Sequence, residues 1–200
     1  EVINLLTSND TKLELREYLM ELQRKFLKGI IERLESETIA EEELRKYMDV
    51  IDPNMFKMLV RSNFSVLTEP WWFAILKFTC LMDAKGLRER TNIPVEKGCH
   101  VMGVPDPLGH LDDGEVFAEI SLNGKRQILE GPVLIYRNPC LHPGDLRVVT
   151  AINKSEYHGM NDVLILPASA DCETSLSDEC SGGDLDGDKF SVIWDKKLIP

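Results

Sequence analysis

The chain has no cysteine framework. Its five cysteines, at 80, 99, 140, 172 and 180, form no CxxC pair and no zinc spacing. An odd, scattered set fits reduced thiols inside a cell better than a disulfide-stapled secreted domain. Cys140 and His142 place two metal-ligating types close together, but no further ligands stand nearby to close a site. Long apolar runs are missing too. The longest, residues 71–82, is too short to cross a bilayer and is broken by Lys77. With no signal-peptide pattern either, the expectation is an intracellular chain with no membrane partner. Positive charge is scarce, since 23 Lys and Arg stand against 34 Asp and Glu for a formal net charge of −11. That argues against a broad basic footprint of the kind that grips nucleic acid.

What remains is an ordinary globular composition, 43% apolar and 28% charged over 200 residues, enough for one large domain or a small pair. The chain begins at Glu1 without methionine and stops soon after its most informative motif, so it is expected to be excised from something longer.

Residues 1–92 read as helical. Leu15, Leu19, Leu22, Phe26, Ile30 and Leu34 recur every three or four positions over 10–35, with Ser8 or Asp10 as a cap. A short acidic helix is predicted over 41–50. Asp52-Pro53 then opens a third helix through about Arg61, and Thr68-Glu69-Pro70 repeats the device before a helix through Arg88. Trp71, Trp72 and Phe73 cannot share one face of that last helix and are expected to pack between neighbours. After Asn92 the pattern changes to short apolar runs at 100–104, 116–122, 127–136, 146–152, 163–166 and 190–194. Turn residues separate them, including Asp112-Asp113-Gly114, Asn123-Gly124 and His142-Pro143-Gly144. Six short strands at that spacing predict a compact β-barrel or sandwich over 93–200. Residues 169–179 read as a polar, acidic loop.

That loop leads to Asp184-Leu185-Asp186-Gly187-Asp188, three carboxylates at alternate positions. Such crowding of like charge is costly unless a cation binds, and a hard divalent ion such as Mg²⁺ prefers oxygen ligands of this kind. Gly187 permits a tight turn between the second and third aspartate. The alternative is a solvated surface turn. A calcium loop of the EF-hand type also begins with alternating acids, and Asp195 falls at its twelfth position. Its sixth position should be glycine and here is Lys189, and the flanks read as loop and strand rather than two helices.

Read with its neighbours, this motif resembles the cell-encoded RNA-dependent RNA polymerases of RNA silencing. The matching pieces run in order from about residue 67 to 200. They are Leu67-Thr68-Glu69-Pro70, Leu87-Arg88-Glu89-Arg90-Thr91, Met102-Gly103-Val104-Pro105-Asp106, Gly114-Glu115-Val116-Phe117, the stretch Arg137-Asn138-Pro139-Cys140-Leu141-His142-Pro143-Gly144-Asp145, and the aspartate motif with Trp194-Asp195 and Leu198-Ile199-Pro200 after it. The resemblance implies an α+β fold, with a helical connecting segment (1–92) followed by a double-psi β-barrel-like catalytic domain (93–200) that carries the aspartate loop. It implies RNA-directed RNA polymerisation in RNA silencing, by two-metal nucleotidyl transfer from nucleoside triphosphates to an RNA 3′-hydroxyl. Asp184, Asp186 and Asp188 would then be both catalytic and metal-binding, with Mg²⁺ or Mn²⁺ as cofactor.

Arg137, with Pro139, Leu141 and His142, is also similar to a segment of the multisubunit RNA polymerases in which the arginine lies near the nucleotide sugar. It is a candidate ribose contact, the alternative being a structural ion pair. For His142 and Pro143 a structural turn is the expectation. Implied partners are RNA template and product, nucleoside triphosphates, the remainder of a larger polypeptide and silencing-pathway proteins, in cytoplasm or nucleus. The family often carries basic residues where Asn92 and Cys99 stand and a basic loop where 169–179 is acidic, which argues against nucleic-acid contacts there. A noncatalytic divalent-metal-binding or scaffolding domain and a DNA-templated polymerase core remain the rival readings.

Overall fold

The structure, a computed structural model, describes residues 2–8, 13–51, 53–62, 64–122, 124–168 and 174–200. The chain divides into two compact units, one of residues 17–94 and one of residues 1–16 with 95–200.

The first unit is built from helices. Helix α1 (Val2–Ser8) belongs to the other unit, and α2 (Leu13–Glu35) is followed here by α3 (Glu37–Ile51), α4 (Pro53–Arg61) and α5 (Pro70–Arg90). Ile30, Ala40, Leu44, Val66, Trp72, Leu76 and Cys80 form its core. Helix α3 starts four residues earlier than its acidic stretch suggested. Ala40 and Leu44, one turn apart and both fully buried, pull that first turn into the core. Arg33 ties three helices together, reaching Asp83 on α5 at 2.6 Å and Glu43 on α3 at 3.3 Å. Helix α5 opens as predicted: Pro70 occupies its first turn, and the Glu69 carboxylate accepts from Trp72 N–H at 2.8 Å. Of its leading aromatics Trp72 is buried and Trp71 exposed, the two rings meeting edge-on. The cap expected at Asp10 and the one at Asp52 lie outside the described residues.

The second unit is a closed barrel. Its strands are β1 (Gly98–Pro105), β2 (Glu115–Leu122), β3 (Lys125–Ile128), β4 (Gly131–Arg137), β5 (Arg147–Ala151), β6 (Val163–Leu166) and β7 (Lys189–Ile193). The order β2-β5-β4-β7-β1-β6 returns to β2 through an antiparallel β6–β2 pairing, while β3 hangs on β2 as a hairpin. The pairing pattern has internal two-fold symmetry. Exchanging β1, β2, β4 for β5, β6, β7 turns the parallel β2–β5 pair into the parallel β6–β1 pair. It also turns the antiparallel β4–β5 pair into β7–β1. This is the α+β architecture with a double-psi type of barrel.

Val101, Val116, Ala118, Ile120, Val133, Ile135, Val149, Leu164, Phe190 and Val192 alternate inward along their strands and fill the interior. The outward Phe117 and Ile165 are also covered, by Leu111 and Tyr157, so β2 is buried without a break from Val116 to Ile120, Glu119 included, rather than alternately.

The apolar stretch 127–136, read as one strand, is two. Leu129 turns into the core, its N–H donated to Ala118 C=O at 3.0 Å, and Gly131 takes a φ of 93° that reverses the chain into β4. Within the acidic stretch 169–179, Ser175 caps a single helical turn, α6 (Leu176–Glu179), by accepting from Asp178 N–H at 3.1 Å. Residues 169–173 of that stretch lie outside the described residues.

Candidate metal centre

The aspartate loop runs from α6 to β7 and is held at both ends. On the α6 side, Gly182 N–H donates to Asp178 C=O at 2.8 Å and Gly183 N–H to Ser177 C=O at 3.0 Å. Ser181 and Gly182 have consecutive positive φ angles of 61° and 70°, which turn the chain sharply away from the helix. A β-carbon on Gly183 would lie 2.8 Å from Ser177 O and 3.2 Å from Asp188 Oδ2, so only glycine lets the loop pack this closely. Ser181 Oγ donates to Pro139 C=O at 2.6 Å, joining the loop to the segment after β4. On the other side the chain enters β7, where Phe190 is fully buried.

Within the loop, Leu185 adopts a φ of 61° and Gly187 one of 127°. A left-handed leucine costs roughly 1–2 kcal/mol. Its side chain packs against the barrel core, while Asp184 and Asp186 on either side are exposed. The result is that carboxylate oxygens of Asp184, Asp186 and Asp188 lie within 4.8 Å of one another.

Their electrostatics differ. The Asp186 carboxyl is held above its ordinary range by a hydrogen bond shared with the Asp184 carboxylate, and then by the charge of Asp184 and of Asp188. Asp188 is held below the ordinary range, chiefly by its hydrogen bond from Arg137 against the opposing effect of burial, with the backbone N–H of Asp184 and of Leu185 assisting. Asp184 N–H donates to Asp188 Oδ2 at 3.1 Å.

The donor set suits a hard divalent cation, being all carboxylate oxygen. Oxygens bound to one octahedral Mg²⁺ at about 2.1 Å lie at most about 4.2 Å apart. The three carboxylates, gathered within 4.8 Å, lie near that span, and Asp184 and Asp186 are exposed. No other group of three or more such side chains comes together among the described residues.

Arg137, the last residue of β4, sits across from Phe190 on β7. Its Nε donates to Asp188 Oδ1 at 2.6 Å and its Nη1 to Ser181 C=O at 3.0 Å. The side chain therefore buttresses both ends of the loop, as the ion-pair alternative anticipated. His142 is a turn residue. Its Nδ1 accepts from Gly144 N–H at 3.0 Å, while Asp145 Oδ2 accepts from the N–H groups of Leu141 and His142 at 2.9 Å each. Cys140 is buried and joins no metal cluster among the described residues.

Two further residues, one beside the loop and one on the outer face of the barrel, were singled out only as motif members. Gly103 N–H donates to Asp188 C=O at 2.9 Å, and Phe190 lies directly over its α-carbon. Asp106 is buried and accepts from Leu108 N–H, Leu111 N–H and the Tyr157 hydroxyl at 2.7–2.9 Å. Burial would push its pKa up, but these bonds outweigh it and hold it at about 2. The sequence signal for the first was a glycine inside a strand, which marks close approach of another group.

A closed barrel with internal two-fold pairing, carrying a three-carboxylate loop at the entrance to one strand, defines the class of domain. The sequence pattern described as RNA dependent RNA polymerase matches residues 1–200, and the chain belongs to that family. It is 35% identical over 164 residues to RNA-dependent RNA polymerase 6 of Arabidopsis thaliana, covering 74% of this chain and 14% of that one. Against the probable RNA-dependent RNA polymerase 2 of Oryza sativa subsp. japonica it is 33% identical over 216 residues, covering 100% of this chain and 18% of the other. The RNA dependent RNA polymerase QDE-1 from Thielavia terrestris shares the fold, with a TM-score of 0.73 and 22% identity over 98% of this chain and 24% of that chain. The chain thus spans less than a fifth of the length of these plant relatives. Among the described residues no helix is long and apolar enough to cross a membrane.

Proposed function

We propose that this chain is a catalytic-core portion of an RNA-directed RNA polymerase that extends an RNA 3′-hydroxyl with nucleoside triphosphates and makes double-stranded or small antisense RNA in silencing. The observation that carries the reading is the convergence of Asp184, Asp186 and Asp188 within 4.8 Å, on a barrel in a chain of this family. These three side chains would hold Mg²⁺, with Mn²⁺ as a substitute. A divalent ion bound there lowers the pKa of an attacking hydroxyl and neutralises triphosphate charge. The protein contributes position and charge: Leu185 and Gly187 aim the carboxylates outward, and Arg137 keeps Asp188 ionised. Arg137 would in addition contact the nucleotide ribose from its end of β4.

In this reading residues 1–92 connect the catalytic barrel, 93–200, to the remainder of a larger polypeptide. Template and product RNA would run over surfaces supplied largely by that remainder, since the chain carries a net charge of −11. Silencing-pathway proteins are the expected partners, in cytoplasm or nucleus. Asp186→Ala in the complete enzyme should abolish Mg²⁺-dependent incorporation on an RNA template while the protein stays folded. Wild-type incorporation by that variant would sink the proposal, and preference for a DNA template would redirect it to a DNA-templated polymerase. The 200-residue chain alone should be inactive.

The acidity favours a second reading, a noncatalytic divalent-metal-binding scaffold. Calorimetry separates the two: tight, calcium-selective binding supports the scaffold, and weak Mg²⁺ or Mn²⁺ binding supports the polymerase.

A further inference from the structure

Glycine in the middle of a strand is unfavourable, because it contributes no side chain and loses the most backbone freedom. Gly103 stands in the middle of β1, between Val101, which faces the core, and Val104. It is bonded on both sides, pairing with Leu164 on β6 and donating its N–H to Asp188 C=O at 2.9 Å. The space its side chain would fill is already taken. A β-carbon there would lie 2.4 and 2.6 Å from two ring carbons of Phe190 and 3.0 Å from Leu185 Cδ2. Phe190 is fully buried, so its ring has nowhere to retreat in a close-packed interior.

Phe190 and Leu185 are the two apolar anchors of the aspartate loop. Leu185 sits between Asp184 and Asp186, and Phe190 follows Asp188 by two residues. Both rest on the one bare α-carbon.

We infer that Gly103 is a positioning residue for the metal centre: its missing side chain seats Phe190 and Leu185, and its N–H fixes the backbone of Asp188, so that β1 sets the spacing of the three carboxylates. This rests on the reading of the loop as a divalent-cation site. A methyl group at 103 must displace Phe190 or Leu185, and either shift moves a carboxylate relative to its neighbours. Shortening Phe190 makes room for that methyl, so the two changes compensate each other.

The test is Mn²⁺ titration of the 200-residue chain, with free ion followed by electron paramagnetic resonance and folding followed by circular dichroism. Gly103→Ala is expected to weaken Mn²⁺ binding about ten-fold, the lower end of what losing a supporting interaction around metal ligands costs. Gly103→Ala/Phe190→Leu should recover most of that loss. Val116→Ala, which removes buried methyl groups from β2 in the same core, should lower the melting temperature and leave Mn²⁺ affinity unchanged. A folded Gly103→Ala with wild-type affinity overturns the inference. Should that variant not fold, Phe190→Leu alone is expected to bind Mn²⁺ more weakly than the double variant, and equal affinities for the two overturn it. Absence of Mn²⁺ binding by the wild-type chain removes the cation site itself, and this inference with it.

Discussion

Arg137 and Asp188, fifty-one residues apart in sequence, are joined by a 2.6 Å bond from the guanidinium Nε to carboxylate Oδ1. Pairing of β4 with β7 brings them together, since Arg137 ends one strand where Phe190 begins the inward run of the other. The arginine also bonds Ser181 C=O, so one side chain spans the loop that carries all three aspartates.

Replacing Arg137 with Met should move the acid limit of Mn²⁺ binding to higher pH. The sign follows from the ligand chemistry. A carboxylate binds a cation only when ionised, and Arg137 holds Asp188 below the ordinary range, so binding in the wild type persists to lower pH. Without the guanidinium, Asp188 takes up its proton earlier as pH falls. Arg137→Lys keeps the charge but not the fork that reaches both Asp188 and Ser181, and is expected to fall between the two. Identical Mn²⁺ binding curves from pH 4 to 7 for all three proteins would contradict this.

Asp186→Asn should raise the melting temperature of the metal-free chain. Its folded pKa is raised, so the ionised group is less favourable in the folded state than in the unfolded one, and that penalty is present above the folded pKa. Asparagine removes it. Divalent ion should raise the wild-type melting temperature by mass action and have little effect on the variant. Thermal scans with and without Mn²⁺, at neutral pH, check both halves. An unchanged metal-free melting temperature together with an undiminished response to Mn²⁺ would refute them.

Asp106 works in the opposite sense. Its folded pKa is about 2 against an ordinary 3.8, so its contribution to stability is complete above the ordinary value and is lost as pH falls toward 2. The shift corresponds to about 2 kcal/mol. Tyr157→Phe removes one of its donors and should cost about 1–2 kcal/mol, and Asp106→Asn about 2–3 kcal/mol. Urea unfolding at pH 7 and at pH 3 should show the Asp106→Asn deficit shrinking at the lower pH. Neither variant should alter Mn²⁺ affinity, because this network sits with Phe117 and Ile165 on the outer face of β2 and β6.

Arg33→Met should destabilise the helical unit by about 2–3 kcal/mol, since it leaves the half-buried Asp83 without its cation and the buried Glu43 with only the exposed Lys46. The loss should be recovered in part by Asp83→Asn in the same chain, measured by urea titration. A cost below about 0.5 kcal/mol, the level of an exposed pair, would show that the clasp does not hold the helices together.

Much of the fold was legible where the information is local. The 3.6-residue spacing of Leu15, Leu19, Leu22 and Ile30, the Glu69-Pro70 start of α5, and the Gly and Asp turns between strands all act over a few residues, and each element formed near its expected place. Local signals failed where a distant partner decided. Ala40 carries α3 back to Glu37 only because a core exists for it to enter. The apolar run 127–136 breaks at Leu129 and Gly131 because its two halves pair with different strands, β2 on one side and β5 and β7 on the other.

The aspartate triad belongs to the sequence by itself. Alternate spacing with glycine at 187 and a leucine between the first two carboxylates contains, within five residues, both a charge cluster that could hold a cation and the backbone freedom to gather it. Which groups support that triad is decided only by the closed barrel. In sequence Arg137 is a candidate for a ribose contact or an ion pair, and its reach to Asp188 depends on β4 lying beside β7. Gly103 looked like one member of a motif until β1 was laid against β7 and its α-carbon became the floor under Phe190. Side-chain chemistry is written residue by residue, whereas the distances between supporting groups depend on strand pairings that join segments tens of residues apart.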